Sequence, residues 1–168
     1  MSLAIQRMAA VAAACMILTM TVSAPAQGQA EPGRWLKMAP FPEPEEELYG
    51  VAANGKMYVL GGFGVGGKPV GMVWEYDPAT DNWNKKKNMP LPVHHQAMTE
   101  YRGKIYMFGG FVQYPVPGQP LAGWEPVNNV WEYDPGADSW KALAPMPSKR
   151  GSAVATEVSG KKIGRAHV

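Results

Sequence analysis

Apolar and polar positions along this chain alternate in short runs that never settle into the 3.6-residue period of a helix. Short apolar runs bounded by turn residues predict β-strands. Tyr49–Ala53, Gln96–Tyr101 and Ala153–Val158 are small-residue runs, and Lys56–Leu60 and Lys104–Phe108 are rich in β-branched, aromatic and Met side chains. Met72–Tyr76 and Asn129–Tyr133 follow. A further run starts at Trp83 and again at Trp140, and is predicted to stop at Met89-Pro90 and Met146-Pro147. Asn54-Gly55, Arg102-Gly103, Asp77-Pro78-Ala79-Thr80 and Asp134-Pro135-Gly136-Ala137 separate the runs. Asp, Asn, Pro and Gly suit such turns for backbone reasons. The chain therefore reads as all-β.

The strands repeat. Gly55-Lys56-Met57-Tyr58-Val59-Leu60-Gly61-Gly62-Phe63 returns 48 residues later as Gly103-Lys104-Ile105-Tyr106-Met107-Phe108-Gly109-Gly110-Phe111. Trp74-Glu75-Tyr76-Asp77-Pro78 returns as Trp131-Glu132-Tyr133-Asp134-Pro135 at an offset of 57, and Trp83 returns as Trp140 at the same offset. The second unit thus carries nine extra residues between Gly110 and Tyr133. Trp35, six before Phe41-Pro42, matches the Trp83 segment, and Gly160-Lys161 matches Gly103-Lys104. Periods of this size mark stacked supersecondary units.

Paired Gly after a strand, then Tyr-Asp-Pro, Trp and Met-Pro resembles the kelch repeat, over Trp35 to about Lys162. That resemblance implies a β-propeller with one four-stranded blade per unit. It assigns strand four of a closing blade to 35–42, one blade to 48–90, a second to 96–147 and the start of another to 151–162. On this reading 31–162 is a partial propeller, since two blades and two part-blades do not close a ring. Gly61, Gly62, Gly109 and Gly110 end strands where the backbone must turn or pass another closely. Tyr76, Asp77, Trp83, Tyr133, Asp134 and Trp140 are the structural positions of the repeat. The four aromatics are sized to fill the space between blades, and their polar tips need partners.

Both ends differ from this body. Arg7 is the only charged residue of 1–30, Met8–Val22 is apolar, and Ser23, Ala24, Ala26, Gly28 and Ala30 are small. The apolar run is short for a bilayer span, which needs roughly 20 residues. The pattern is that of a secretory signal peptide cleaved near Ala26 or Ala30, leaving no stable membrane span. A secreted or periplasmic location follows as an expectation. Cys15, the one Cys, would leave with the signal. At the other end Gly164-Arg165-Ala166-His167-Val168 breaks the strand pattern. Ile163–Val168 resembles a translated sequencing-adapter oligonucleotide, so 163–168 reads as a non-native tail.

Composition agrees. Gly 19 and Pro 16 make 35 of 168 residues, well above the roughly 12% of an average protein. Sixteen Lys and Arg against 14 Asp and Glu leave no basic field for nucleic acid. Gly61–Gly67 is glycine-dense, but no Lys-Ser/Thr follows it and no helix opens, so it is not a phosphate loop.

The resemblance puts ligand contacts on two loop sets, one joining strands two and three and one joining strand four to the next strand one. The first set is 63–71 and 111–128. It gives Phe63, Phe111, Tyr114 and Trp124 as ligand-binding candidates. The second holds Glu45-Glu46-Glu47, Val93-His94-His95 and Lys149-Arg150. His94, His95 and Arg150 are ligand-binding candidates there, and Glu45, Glu46, His94 and Arg150 are weak candidates for acid–base work. Adjacent residues on a strand face opposite ways, so His94 and His95 are not expected to clamp one metal. No metal and no cofactor is expected, and a copper site built on a Cys–Tyr crosslink would lack its Cys. Lys85-Lys86-Lys87 reads as protection of an edge strand. The expected function is an exported kelch scaffold that binds a carbohydrate or protein at the channel mouth. Two alternatives stand beside it: a sugar isomerase similar to bacterial sialic-acid mutarotases, or the propeller domain of a larger exported enzyme.

Overall fold

The computed structural model describes residues 33–119 and 122–166. The stretch 1–30, read above as a signal peptide, and residues 167–168 lie outside them. The chain divides into two compact units, Met1–Leu36 and Lys37–Val168. Of the first, 33–36 are described; they form no strand, and Trp35 is fully exposed. The second holds fourteen strands among the described residues and no helix.

Two four-stranded antiparallel sheets form its centre. In the first, β1 (Tyr49–Ala53), β2 (Lys56–Leu60), β5 (Val73–Asp77) and β6 (Asn82–Lys85) lie in that order. In the second, β7 (Ala97–Tyr101), β8 (Lys104–Phe108), β11 (Val130–Asp134) and β12 (Ser139–Leu143) repeat the arrangement. The registers correspond: Tyr76 faces Trp83, and Tyr133 faces Trp140. β13 (Ala153–Val158) and β14 (Lys161–Ala166) pair as the first two strands of a third copy. The sequence pattern breaks after Ile163, yet the ladder runs on to Ala166. Ile163 and Arg165 are exposed there, and backbone pairing does not require apolar side chains on an open face.

The core lies where the two sheets face each other. Tyr58, Leu60 and Val73 of the first sheet meet Ile105, Met107 and Tyr133 of the second, with Met89 and Val93 from the connection. The Tyr58 and Tyr133 rings meet edge-on at 6.2 Å. Burying one such side chain is worth about 1.5–3 kcal/mol.

A second device joins the sheets at their outer edges, and it repeats. The Tyr133 hydroxyl donates to Asp138 Oδ1 at 2.6 Å, and the same oxygen accepts the Lys87 N–H at 2.9 Å. Trp140 Nε1 then donates to the Lys87 carbonyl at 3.0 Å. One blade earlier, Tyr76 donates to Asp81 at 2.6 Å, Asp81 accepts the Ala39 N–H at 2.7 Å, and Trp83 donates to the Ala39 carbonyl. These are the partners that the polar tips of the four aromatics require. Asp77 and Asp134 close their turns by accepting the N–H groups of Ala79 and of Gly136 and Ala137.

Two features differ from the sequence reading, and the latch accounts for the first. The fourth strand ends at Lys85 rather than at Met89-Pro90, because both backbone groups of Lys87 leave the blade for Asp138 and Trp140. The stretch 35–42 is not a regular strand. A strand is defined by its ladder, and among the described residues no strand lies beside it; Ala39 is held by its backbone and Phe41 by its ring, which meets Trp83 edge-on at 5.1 Å. β6 is the edge strand expected for the lysine run, and Lys85 and Lys86 have partners as well. Lys85 pairs with Glu43 at 2.6 Å and lies over the Trp74 ring, and Lys86 approaches Glu75 at 3.9 Å.

Candidate functional site

Three crossovers carry the chain from one blade to the next: Glu45-Glu46-Glu47, Val93-His94-His95 and Arg150-Gly151-Ser152. In each, the third residue is left-handed, with φ of 54° at Glu47, 54° at His95 and 49° at Ser152. The chain therefore kinks instead of running straight into strand one. Two hairpins rise beside the crossovers. β3 (Phe63–Gly64) pairs with β4 (Lys68–Pro69), and β9 (Phe111–Tyr114) pairs with β10 (Gly123–Pro126). Glu46 and Phe63 exchange backbone hydrogen bonds of 2.9 and 2.8 Å, and His94 and Phe111 exchange bonds of 3.2 and 2.9 Å. Arg150 instead bonds Val127 at 3.0 Å and accepts from Gly110 at 2.8 Å. These close passages explain the glycine pairs. A Cβ on Gly62 (φ 98°) would lie 2.6 Å from the Glu46 carbonyl oxygen, and one on Gly109 (φ 58°) would overlap that of Arg150.

His94 is the centre of this rim. It is 4% exposed. Its ring lies 4.3 Å from Phe63, 4.5 Å from Trp124 and 5.5 Å from Phe111. Burial, and next the neighbouring His95, push its pKa down to about 4. The imidazole is therefore neutral at pH 7. Nδ1 opens towards His95 Nδ1 at 2.6 Å and Glu47 Oε2 at 3.8 Å. His95 Nδ1 is 3.2 Å from the same carboxylate oxygen.

The two histidines thus face one point, contrary to the strand-based expectation. The alternation rule assumes extended backbone, and His95 is left-handed. Glu47 completes the cluster, although sequence reasoning passed over it. One signal could have found it: the 48-residue repeat offset puts Glu47 level with His95 one blade earlier.

The acid–base candidates do not converge in one cluster. Glu45 is half-buried beside Gly64; burial first, and Glu43 second, raise its carboxyl pKa, and Lys85 partly offsets them. The Glu46 side chain is exposed. Arg150 Nε donates to Ser148 Oγ at 3.0 Å. Among the described residues no hydrogen bond or ion pair joins Arg150, Glu45 or Glu46 to His94. Phe63 and Phe111 are half-buried and pack against His94. Tyr114 and Trp124 are 45% and 41% exposed. Lys149, beside Arg150, forms an ion pair with Glu125 on β10 and braces the hairpin.

The kelch motif model matches residues 50–90 and 92–147. The chain belongs to the kelch-motif family. Its blades are those of a partial kelch β-propeller. The chain is 28% identical to Kelch-like protein 35 of Mus musculus over 127 residues, covering 76% of this chain and 20% of that protein. It is 30% identical to human Kelch-like protein 25 over 110 residues, covering 64% and 18%. Beta-scruin of Limulus polyphemus is 28% identical over 132 residues, covering 77% and 14%. This kelch chain therefore spans about a fifth or less of the length of these relatives. The solved structure of YjhT superposes with a TM-score of 0.67 at 20% identity, over 80% of this chain and 47% of that one. That likeness is one of fold. Among the described residues no helix is long and apolar enough to cross a membrane.

Proposed function

We propose that this chain is part of a kelch propeller that binds a protein ligand through the β9–β10 hairpin and the rim beside it. The observation that carries this is the shape of the hairpin. Trp124 pairs with Gln113, and Tyr114 with Gly123. Neighbouring cross-strand pairs point to opposite faces, so the hairpin presents one partly exposed aromatic on each side. Small-ligand sites are concave with convergent polar groups; here Trp124 packs on Phe63 and His94 while 41% of it stays exposed, so hairpin and rim form one partly apolar surface of the kind a protein partner covers. Trp, Tyr and Arg are the side chains that most often anchor protein interfaces.

Display selection of peptides on the intact protein tests this. Tyr114→Ala and Trp124→Ala are expected to weaken the selected peptides about tenfold, or about 1.4 kcal/mol each. Unchanged affinity in both variants overturns it. The carbohydrate reading rests on the same aromatic faces; retention of glycans on an array, with no peptide enriched, would favour it. The isomerase reading rests on Glu45, Glu46, His94 and Arg150 as acid–base groups, of which burial first raises the Glu45 carboxyl. Accelerated anomer exchange of sialic acid by NMR, lost in Glu45→Gln, would favour that one. The full-length gene decides whether a separate catalytic domain accompanies the propeller. We also read the protein as exported, on the pattern of 1–30. A mature chain starting at Gln27 or Glu31 supports this, and a retained Met1 overturns it.

A further inference from the structure

We infer that Glu47, His94 and His95 form a three-ligand site for a zinc ion, bridging two successive blades at the rim. The ligand atoms are His94 Nδ1, His95 Nδ1 and Glu47 Oε2, at mutual distances of 2.6, 3.2 and 3.8 Å. A triangle with those sides has a circumradius of about 1.9 Å. A point about 0.8 Å above its plane is then about 2.1 Å from all three atoms, the length of zinc bonds to imidazole nitrogen and carboxylate oxygen. Tetrahedral angles require the two imidazole nitrogens to stand about 3.4 Å apart, so the half-buried His95 ring would move outwards by about 0.8 Å to seat the ion.

The cluster is also held in place before any ion arrives. His94 is buried among Phe63, Phe111 and Trp124, so its ring cannot swing to solvent without breaking that packing. Its Nε2 has no hydrogen-bond partner among the described residues, so the polar contacts of this buried ring are all on the Nδ1 side. The left-handed backbone at His95 turns the second imidazole to the same side, and the left-handed Glu47 is its counterpart one blade earlier. Two imidazoles and one carboxylate are a donor set that zinc accepts.

The geometry also limits what the ion would do. Glu47 enters β1, and His94-His95 enter β7, so the ion ties two blades together. Three protein ligands leave one of four tetrahedral positions open, and solvent reaches the cluster because Glu47 is exposed. An open fourth position takes water or an anionic group. The site would thus offer a Lewis-acidic contact beside the hairpin proposed to bind ligand, and its existence does not depend on that proposal.

The test uses the intact protein with Cys15→Ser and His167→Ala, which removes the other Cys and His of this sequence. After chelator treatment, zinc is titrated by calorimetry, and cobalt is added separately as a spectroscopic probe. The expected results are one zinc per chain, a visible cobalt absorption band and a higher melting temperature with zinc. His95→Asn keeps a side chain that tolerates the left-handed backbone, and Glu47→Gln alters an exposed side chain. Each is expected to weaken zinc binding at least about tenfold and to remove its effect on melting, while the metal-free melting temperature stays near that of the parent. Failure of the parent to bind zinc overturns the site. So does zinc affinity that is unchanged in both variants.

Discussion

The latch around Lys87 makes a quantitative prediction about how one blade holds the next. Tyr133 is fully buried, and its hydroxyl has a carboxylate partner at 2.6 Å. Burial first, and this bond second, push the phenol pKa well up. A hydrogen bond to a charged group contributes about 1.5–3 kcal/mol net, so Tyr133→Phe is expected to cost that much. Asp138→Ala removes the same bond and also the one from the Lys87 N–H at 2.9 Å. It further puts Ala at φ 45°, which adds about 1–2 kcal/mol, so the two lost bonds and the backbone together cost about 4–8 kcal/mol. The Tyr–Asp bond is counted in both single variants. The double variant should therefore cost no more than Asp138→Ala alone, giving a coupling energy of about 1.5–3 kcal/mol. Denaturant midpoints at constant m-value on the intact protein measure all four corners of the cycle. Additive single effects, with a coupling below about 0.5 kcal/mol, would refute the latch.

Burial raises the Glu75 carboxyl, but bonds from Tyr58 at 2.6 Å and Lys56 at 2.9 Å outweigh it and hold its pKa below the usual carboxylate range. A depressed carboxylate contributes stability that is present above its unfolded pKa of about 4.5 and lost as pH falls through the folded value; Glu75→Gln should flatten the acid limb of a stability–pH curve below about pH 4.5, and an unchanged limb would contradict this. Gly109→Ala forces a Cβ onto the Arg150 carbonyl at φ 58° and is expected to cost at least about 3 kcal/mol; a melting temperature within about 2 °C of the parent would show that the passage is looser than drawn. Lys85→Ala removes an exposed ion pair to Glu43 and should change stability by less than about 1 kcal/mol; a larger loss in denaturant midpoint would mean that its contact with Trp74 matters more than the charge.

What could be read from the sequence depended on how many residues share the work at each position. The strand centres were legible because two registers agreed: the repeat gave the spacing, and turn residues gave the bounds, so β1, β2 and β8 fall where the pattern puts them. The aromatic positions were legible for the same reason, and Tyr133 and Trp140 do pack into the core between the two sheets. Their hydrogen-bond partners were not, because Asp81 and Asp138 become acceptors only through left-handed turns that place them against the preceding segment. The rim was the least legible part. Phe63-Gly64 and Lys68-Pro69 are strands of two residues each, in a stretch whose Gly and Pro content reads as loop. They pair because the Glu46 backbone clips Phe63 to the crossover, which is a long-range condition absent from the local pattern. His94 and His95 show the same limit at one residue: a single positive φ reverses the inference from strand alternation. The blade body repeats because each of its contacts must be made again by the next unit, whereas the crossovers Glu45-Glu46-Glu47, Val93-His94-His95 and Arg150-Gly151-Ser152 keep one backbone shape with different side chains. That combination lets chemistry vary on a fixed frame. It is why the rim, and not the aromatic stripe, is where binding by this kelch chain has to be sought.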